Sequence, residues 1–300
     1  MKYRTLGKTG LSVSVIGLGT HQFSGEWAKE FTPGEVERML GRARDLGINF
    51  LDTAECYGDH AVESVVGKSI KSRRADWMVA TKFGHAYAGS PQKTEAWSAD
   101  QVRRQLEDSL RALQTDHIDL YLFHSGSNEA FQNETLWTML HEQVRAGKIR
   151  WLGLSLAANL MLKNDLQQLH VAPRVNVSAV QVVYNRLQTK AEEQVLPLCQ
   201  KQQLGVLARV PLAKGFLGGN YRPGAAFPEN DTRSAYGAEF NNQQLELVEK
   251  IRREELPPGQ NMAQWALAWC LKNPAVASVI VGCKTIAQLE SNAAAEGLAA

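Results

Sequence analysis

The sequence predicts a (β/α)8 barrel, in which a closed ring of eight parallel strands is surrounded by helices. Two observations support this prediction. Short runs rich in β-branched and aromatic residues alternate with longer helical patterns eight times along the 300 residues. Most of these runs are continuously apolar, as is typical of parallel strands covered on both faces. A doubly wound open sheet shares the alternation, but eight units in a chain of this length fit the barrel better.

The strands are expected to begin after a short N-terminal hairpin over residues 3–10. The eight barrel strands are predicted at residues 13–18, 48–52, 77–81, 118–124, 150–155, 179–183, 205–209 and 277–281. We expect residues 1–300 to form a single barrel domain. A chain of this size buries roughly three quarters of its unfolded surface, so its core needs no disulfide or structural metal.

Helical patterns lie between these strands, over residues 33–46, 98–113, 133–146, 190–202, 243–253, 262–272 and 286–295. The first pattern begins with a capping box, because Thr32 precedes Pro33 and Glu35 follows three residues after Thr32. The second begins in the same way, with Ser98 and Gln101. These signals predict where both helices start.

Two long segments, residues 84–96 and 220–240, interrupt the alternation of strands and helices. Loops of this length inside a compact domain usually carry function. Each follows a predicted strand, and the active sites of barrels lie at the C-terminal ends of their strands. We therefore expect both segments to lie at the active-site face.

The composition excludes several classes of protein. A hydrophobic fraction of 44% and a charged fraction of 21% are typical of globular proteins and exclude disorder. The net charge of +2 supplies no excess positive field, so neither nucleic acid nor an anionic membrane surface is expected as a partner. No apolar run is long enough to predict a membrane span. Without a signal-peptide pattern or a Cys-x-x-Cys pair among the four cysteines, we expect a cytoplasmic protein with free thiols.

Several common motifs are incomplete. Gly17 and Gly19 begin a dinucleotide-binding fingerprint, but Gln22 occupies the position of its third glycine. Residues 67–69 resemble the end of a phosphate-binding loop whose first glycine position holds Val62, so an ordinary helix is predicted there. The seven histidines show no metal-ligand spacing, so we expect no metal site and disfavour a metal-dependent barrel hydrolase.

Four chemically active side chains follow three successive predicted strands. Asp52 and Tyr57 follow the second strand, Lys82 follows the third, and His124 ends the fourth. Each residue alone has an ordinary structural explanation, such as a cap, a surface tyrosine or a core histidine. The C-terminal ends of barrel strands converge on one opening, so we expect the four groups to lie together. Their joint occurrence favours a catalytic site.

These residues belong to sequences that resemble the aldo-keto reductase family over essentially the whole chain. The resemblance rests on residues 3–14 (YRTLGKTGLSVS) and, more specifically, on residues 52–58 (DTAECYG). Lys82 and His124 also stand where the family has catalytic residues. The resemblance implies an NADPH-dependent oxidoreductase that reduces aldehydes or ketones to alcohols. It further implies that Tyr57 donates a proton to the carbonyl oxygen while the nicotinamide delivers a hydride.

The resemblance also implies roles for the residues around Tyr57. Asp52 would hold Lys82 charged, and Lys82 would favour the phenolate of Tyr57. A charge about 4 Å away at an effective dielectric of 20 contributes roughly 4 kcal/mol. This interaction allows the pKa of Tyr57 to fall by up to about three units, less the effect of desolvation and the partial offset from Asp52. His124 is expected to donate a hydrogen bond to the substrate oxygen.

A second group of residues resembles the cofactor-binding segments of the family. Ser155 and Gln181 are expected to bind the nicotinamide carboxamide, residues 211–218 the pyrophosphate, and residues 281–292 the adenosine end. Lys284 is expected to pair with a 2′-phosphate, which favours NADPH over NADH. The expected cofactor-binding set is Gly19, Thr20, Asp52, Ser155, Gln181, Arg209, Pro211, Leu212, Lys214, Gly215, Leu217, Gly218, Gly282, Lys284, Gln288 and Asn292.

Arg209 is the clearest departure from the family pattern. Many members have an aromatic ring at the end of the seventh strand, where it stacks on the nicotinamide, and this chain has an arginine. A guanidinium plane can stack in the same way, or it can pair with a carboxylate or phosphate. The wall of the pocket for the small carbonyl substrate is predicted from Phe23, Trp27, His85, Tyr87 and Asn128.

Two classes of function remain open at this point. The first is an enzyme that reduces carbonyl compounds with NADPH. The second is a redox sensor or regulatory subunit that binds NADPH and turns over slowly, like the channel β-subunits of the same superfamily. The fold alone does not separate them, because barrels carry many chemistries. The complete set of four catalytic residues favours the enzyme.

Overall fold

A closed barrel of eight parallel strands forms the centre of the protein, so the predicted (β/α)8 barrel is confirmed. The computed structural model describes residues 1–89 and 93–298. The strands in this part of the chain are β1 (Tyr3–Thr5), β2 (Ser12–Ser14), β3 (Ile16–Gly19), β4 (Phe50–Asp52), β5 (Met78–Phe83), β6 (His85–Tyr87), β7 (Lys93–Glu95), β8 (Ile118–His124), β9 (Ile149–Ser155), β10 (Val177–Val183), β11 (Gly205–Arg209) and β12 (Val276–Val281). Strands β1 and β2 form one hairpin, β6 and β7 form another, and the other eight close the barrel, with β12 pairing against β3.

Helices pack around this barrel and shield its outer face. They are α1 (Pro33–Asp45), α2 (Ala61–Ile70), α3 (Ala99–Leu113), α4 (Asn128–Phe131), α5 (Glu134–Arg145), α6 (Ala158–Leu162), α7 (Gln167–Val171), α8 (Val195–Lys201), α9 (Ala238–Glu254), α10 (Met262–Leu271) and α11 (Ile286–Ala294). Across residues 1–89 and 93–298, no helix is both long enough and apolar enough to cross a membrane.

The helix starts agree with the capping signals in the sequence. The Thr32 hydroxyl accepts a hydrogen bond from the Glu35 N–H, and the Glu35 carboxylate accepts one from the Thr32 N–H at 2.9 Å. Ser98 and Gln101 form the same reciprocal pair at the start of α3. Both predicted capping boxes are confirmed. They satisfy backbone donors that the first turn of a helix leaves without an intrahelical partner.

Other boundaries differ from the prediction for identifiable reasons. The helix predicted over residues 190–202 begins only at Val195, because Pro197 must lie in its first turn and cannot extend the helix backwards. Helix α9 begins at Ala238, ahead of the predicted start at residue 243. Helices α6 and α7 have five residues each, too few to show a helical period in the sequence.

The N-terminal hairpin corrects two predicted boundaries. β1 pairs with β2, so the hairpin extends to Ser14 instead of ending at residue 10, and the first barrel strand begins at Ile16 instead of residue 13. Only Val15 separates β2 from β3, and no Gly, Pro or Asn marks this break in the sequence. The hairpin lies at the N-terminal ends of the barrel strands. There the backbone N–H of Lys8 donates to the Gln203 carbonyl at 3.0 Å, and Leu6 packs into the barrel interior. It therefore covers the end of the barrel opposite the C-terminal strand ends.

The contact between α2 and α3 makes a prediction about stability. A Cβ atom at Gly67 would lie 2.5 Å from the backbone of Leu113, whereas a Cβ at Gly41 on α1 would have no neighbour within 4 Å. We expect Gly67→Ala to lower the free energy of unfolding by about 1–3 kcal/mol through overpacking. Gly41→Ala should raise it by about 0.5–1 kcal/mol through helix propensity. Urea unfolding measures both, and equal stability of the two variants would contradict the close contact.

Candidate active site

A buried ion pair lies at the C-terminal end of the barrel. The Lys82 side chain is 1% exposed, and its Nζ lies 3.0 Å from the Asp52 carboxylate. The two residues come together because β4 and β5 are neighbouring parallel strands. Lys82 also donates to the Thr53 carbonyl at 2.6 Å, and Asp52 accepts from the Gln181 amide at 2.7 Å. Burial alone would lower the pKa of Lys82, but the negative charge of Asp52 raises it above its usual value. The lysine is therefore charged at neutral pH.

Tyr57 places its hydroxyl 3.5 Å from the Lys82 ammonium. Its ring stacks on the imidazole of His21, with the ring centroids 4.5 Å apart. Burial raises the pKa of Tyr57 above its usual value of 10, while Lys82 lowers it and Asp52 raises it further. The pKa of Tyr57 is therefore raised and not lowered. The loss of hydration has a larger effect on this pKa than the charge of Lys82, which Asp52 partly compensates. Tyr57 is a neutral phenol, the form that can donate a proton.

His124 ends β8 on the same side of the barrel. Its Nδ1 lies 3.8 Å from the Cys56 thiol and 4.0 Å from the Glu55 carboxyl. Burial and the neighbouring positive charge of Lys82 hold the pKa of His124 well below its usual value. The ring is therefore neutral and carries one proton. Because Nδ1 faces Glu55 and Cys56, Nε2 is the nitrogen left to face the cavity that His124 lines.

A cavity of about 610 Å³ opens beside these residues. Asp52, Tyr57 and His124 line it, while Lys82 lies behind them. The expected cofactor-binding residues that line it are Gly19, Asp52, Gln181, Arg209, Pro211, Leu212, Lys214, Gly215, Gly218, Gly282, Lys284, Gln288 and Asn292. The structure thus brings most of that set together around one space.

The remaining expected cofactor residues lie behind the cavity wall. Ser155 is buried and donates to the Gln181 side chain at 3.3 Å, so it can orient that amide. Thr20 is buried and donates to the Asp52 carbonyl at 3.0 Å. Leu217 is fully buried in an apolar cluster with Phe216. These three positions support the wall from behind.

The five residues expected to form the substrate pocket are dispersed. Trp27 lines the cavity. His85 contacts the His124 ring, with centroids 4.9 Å apart, but it lies outside the cavity wall. Phe23 packs against Phe31, Tyr87 is exposed on β6, and Asn128 donates to Asp165 at 2.7 Å. Of the five, Trp27 alone is in the wall, and His85 packs against His124 behind it.

The two long loops reach the cavity as expected. Ala28 donates to the Asn230 carbonyl at 3.1 Å, and the Thr232 N–H and hydroxyl both donate to the Glu26 carbonyl. These bonds form a clasp between residues 26–28 and 230–232. Residues 84–96 contain the β6–β7 hairpin, and Lys93 on β7 lines the cavity. Residues 90–92 of this loop lie outside the described residues.

One end of the cavity is basic. Lys214, Arg233 and Lys284 line it there, and Lys214 contacts the Tyr236 hydroxyl. The Arg233 guanidinium makes two hydrogen bonds to Asp231, which also lies 3.9 Å from the Lys284 ammonium. Three cations against one carboxylate leave a positive end that suits an anionic ligand group. Arg233 and Tyr236 were not foreseen, because their loop has no periodicity in the sequence.

Arg209 ends β11 and lines the same cavity as the basic end and the catalytic residues. One of its terminal nitrogens donates to the Leu156 carbonyl at 3.2 Å, and its Nε has no hydrogen-bond partner in the described part of the chain. Burial lowers the pKa of this guanidinium, while Tyr57 and Asp52 act in the opposite direction. A buried donor without a partner is available to a ligand. Both stacking and ion pairing remain compatible with this position.

The sequence analysis missed several residues that surround the site. His21 stacks on Tyr57, Lys93 lies 5.8 Å from the same ring, and Glu55 and Cys56 contact His124. Glu55 and Cys56 lie inside the recognised run 52–58, which was the available signal. Their partner His124 is distant in sequence, so its proximity was not apparent.

A barrel with this arrangement at its C-terminal end defines an oxidoreductase of the aldo/keto reductase class. The sequence model of the aldo/keto reductase family matches residues 15–298, so the chain belongs to that family, as its motifs indicated. Members of the family use nicotinamide cofactors.

The four cysteines, whose free thiols were expected, are all unpaired and buried.

Individual relatives are similar along almost their whole length. The uncharacterized oxidoreductase YrpG of Bacillus subtilis (strain 168) is 34% identical, over 96% of this chain and 89% of the relative. The aldo-keto reductase yakc [NADP(+)] of Schizosaccharomyces pombe is 33% identical, over 94% of this chain and 83% of its own. Among solved structures, the holo form of aldo-keto reductase AKR11C1 from Bacillus halodurans is 30% identical and superposes with a TM-score of 0.81, covering 99% of this chain and 91% of that one.

The buried ion pair predicts a non-additive effect on stability. Asp52→Asn leaves the Lys82 charge unpaired and should lower the free energy of unfolding by about 3–5 kcal/mol. Adding Lys82→Met should recover much of that loss, because the unpaired charge is removed. Denaturant unfolding of the two single variants and the double variant measures the coupling.

The exposed pair Arg103–Glu142 serves as the control. Glu142→Gln should change stability by less than about 1 kcal/mol. If the stability losses of Asp52→Asn and Lys82→Met simply add in the double variant, the result would argue against a coupled pair.

Proposed function

We propose that this protein reduces aldehydes or ketones to alcohols with NADPH. The observation that carries the proposal is the Tyr57 hydroxyl, held 3.5 Å from the Lys82 ammonium at the wall of a cavity whose other end is basic. A proton donor next to a fixed cation suits a reaction that creates negative charge on a carbonyl oxygen. The bound nicotinamide would supply the hydride.

The residues around Tyr57 have distinct roles in this proposal. Tyr57 gives its proton to the carbonyl oxygen and becomes a phenolate beside Lys82. A cation about 4 Å away contributes roughly 4 kcal/mol at an effective dielectric of 20, which favours the phenolate as it forms. Asp52 keeps Lys82 charged and oriented. His124 donates a hydrogen bond from Nε2 to the same oxygen and fixes its position.

The cavity has features that fit a dinucleotide with phosphate groups. Its basic end carries Lys214, Arg233 and Lys284. Between β11 and this end, Val210, Ala213 and Lys214 adopt positive φ angles of 59°, 47° and 57°. Such a backbone is rare for residues with side chains and occurs mainly at functional sites. Residues 211–218 would hold the pyrophosphate, and Gln181, oriented by Ser155, would bind the carboxamide.

The second candidate is a redox sensor or regulatory subunit that binds NADPH and turns over slowly. One observation favours it: a relative from Arabidopsis thaliana described as a probable voltage-gated potassium channel subunit beta is 29% identical, over 97% of this chain and 90% of its own. A sensor would bind NADPH with little consumption of it when carbonyl substrates are present. Steady-state turnover therefore separates the two candidates.

The first functional prediction concerns Tyr57→Phe. The wild type should consume NADPH with an activated aromatic aldehyde, and the variant should lose a factor of about 10² or more in kcat, because it lacks the proton donor. NADPH binding, followed by fluorescence, should be retained. Tyr3→Phe is the control, because Tyr3 lies on the hairpin at the opposite end of the barrel. Equal kcat values for Tyr57→Phe and the wild type would contradict the assignment.

The second functional prediction concerns Lys284→Ala. If Lys284 binds a 2′-phosphate, the variant should bind NADPH about tenfold more weakly and NADH with unchanged affinity, because a charge-assisted contact is lost. The dissociation constants of both cofactors provide the measurement. Lys272→Ala, at the exposed end of α10, is the control. An equal loss of affinity for NADH and NADPH would show that Lys284 does not bind the 2′-phosphate.

A further inference from the structure

Glu55 is a buried carboxyl group that the proposed mechanism does not use. Its side chain is 2% exposed. One oxygen, Oε1, accepts a hydrogen bond from the His85 N–H at 3.1 Å. The other, Oε2, has no hydrogen-bond partner within residues 1–89 and 93–298, and it lies 4.0 Å from Nδ1 of His124. The Cys56 thiol approaches the same nitrogen at 3.8 Å.

We propose that Glu55 and Cys56 are positioning residues that hold His124 in the tautomer with its proton on Nε2. A neutral imidazole has one donor and one acceptor nitrogen, and the partner of one nitrogen determines which is which. A protonated carboxyl and a thiol both offer hydrogen-bond donors to Nδ1. Nδ1 then accepts, and Nε2–H is left to donate to a carbonyl oxygen. This inference rests on the proposed function only where it concerns catalysis.

The surroundings of these groups favour the protonated acids. Burial raises the pKa of Glu55 to about 8 and Glu63 adds to this effect, while the His85 N–H and Lys82 act against it. Burial likewise raises the pKa of the Cys56 thiol to about 12. The pKa of His124 is held low by burial and then by the nearby cationic or titratable groups, which are Lys82, His85, Lys93 and Arg209. At pH 7 the three groups are therefore a carboxylic acid, a thiol and a neutral imidazole.

The same three groups lie close enough to hold a metal ion, with one donor atom from each within 4.8 Å of the others. A metal would have to displace the protons of both Glu55 and Cys56, next to the charged Lys82. Control of the His124 tautomer is therefore a better explanation of why these three groups lie together than metal binding is.

Ionisation of Glu55 should reverse the arrangement. Above about pH 8 the carboxyl loses its proton to solvent and becomes an acceptor. The imidazole stays neutral, so it releases the Nε2 proton and takes one at Nδ1, because the negative charge of Glu55 outweighs the weak S–H donor of Cys56. Nε2 then presents a lone pair to the carbonyl oxygen and cannot donate. Reduction should fall as the pH rises through the pKa of Glu55.

The kinetic test is the pH profile of kcat/KM for NADPH-dependent reduction. The wild type should be about tenfold less active at pH 9 than at pH 7, as expected for one ionisation near pH 8. Glu55→Gln keeps Tyr57, so a loss of activity that belongs to Tyr57 would persist in this variant. Glu55→Gln should give a flat profile, because the His85 N–H fixes the amide oxygen and the amide nitrogen then donates to Nδ1 at every pH.

Glu107→Gln, on the surface beside Lys148, should keep the wild-type profile. A flat wild-type profile would overturn the proposal, and so would a loss near pH 8 that persists in Glu55→Gln.

The tautomer can also be read without turnover. Imidazole ¹⁵N shifts of His124 in the cofactor-free protein should show a protonated Nε2 at pH 7 and a protonated Nδ1 at pH 9.5. Glu55→Gln should keep the proton on Nε2 at both values. A proton on Nδ1 at pH 7 would overturn the inference whatever the activity. Absence of turnover together with the expected shifts would instead count against the proposed reduction alone.

Discussion

The Asp52–Lys82 ion pair is the interaction on which the rest of the site depends. Removing two charges from water costs several kcal/mol per ion, and the fold offsets this by giving each charge further partners. Lys82 donates to the Thr53 carbonyl, and Asp52 accepts from Gln181. The pair thereby connects the ends of β4, β5 and β10 at one point. The positive charge of Lys82 also acts on Tyr57 and His124, so one buried cation influences both groups that would meet a carbonyl oxygen.

Two buried carboxyl groups near this pair, Glu63 and Glu55, differ in their surroundings. Glu63, which is fully buried, is satisfied by the hydroxyls of Thr81 and Ser109 and pairs with His60. Its negative charge in turn raises the pKa of Glu55, so that of these two buried carboxyls one can be charged while the other is neutral. A structural carboxylate outside the cavity thus helps to determine the proton state of a group next to His124. The hydrogen bond from Ser109 on α3 to Glu63 on α2 therefore affects the protonation of Glu55 indirectly.

The sequence predicted the barrel and the four central residues because both follow from short-range rules. Apolar runs alternate with helical patterns, and polar residues at strand ends converge. The pKa of Tyr57 could not be predicted in this way, since it depends on how much water the folded structure excludes. The contact of Cys56 with His124 joins residues 68 positions apart, which no local pattern reveals. The break between β2 and β3 was hidden for a different reason, because it is a single residue, Val15, with no turn-forming residue to mark it.

The clasp between residues 26–28 and 230–232 is made entirely to main-chain carbonyl oxygens, those of Asn230 and Glu26. Two of its three donors are also main-chain N–H groups. Its closure therefore depends little on the identity of the side chains, and both loops can diverge in sequence while the connection persists. Proline is the exception. At residue 28 it would remove a donor and could not adopt the φ of 54° observed there, and at residue 232 it would remove both the N–H and the hydroxyl.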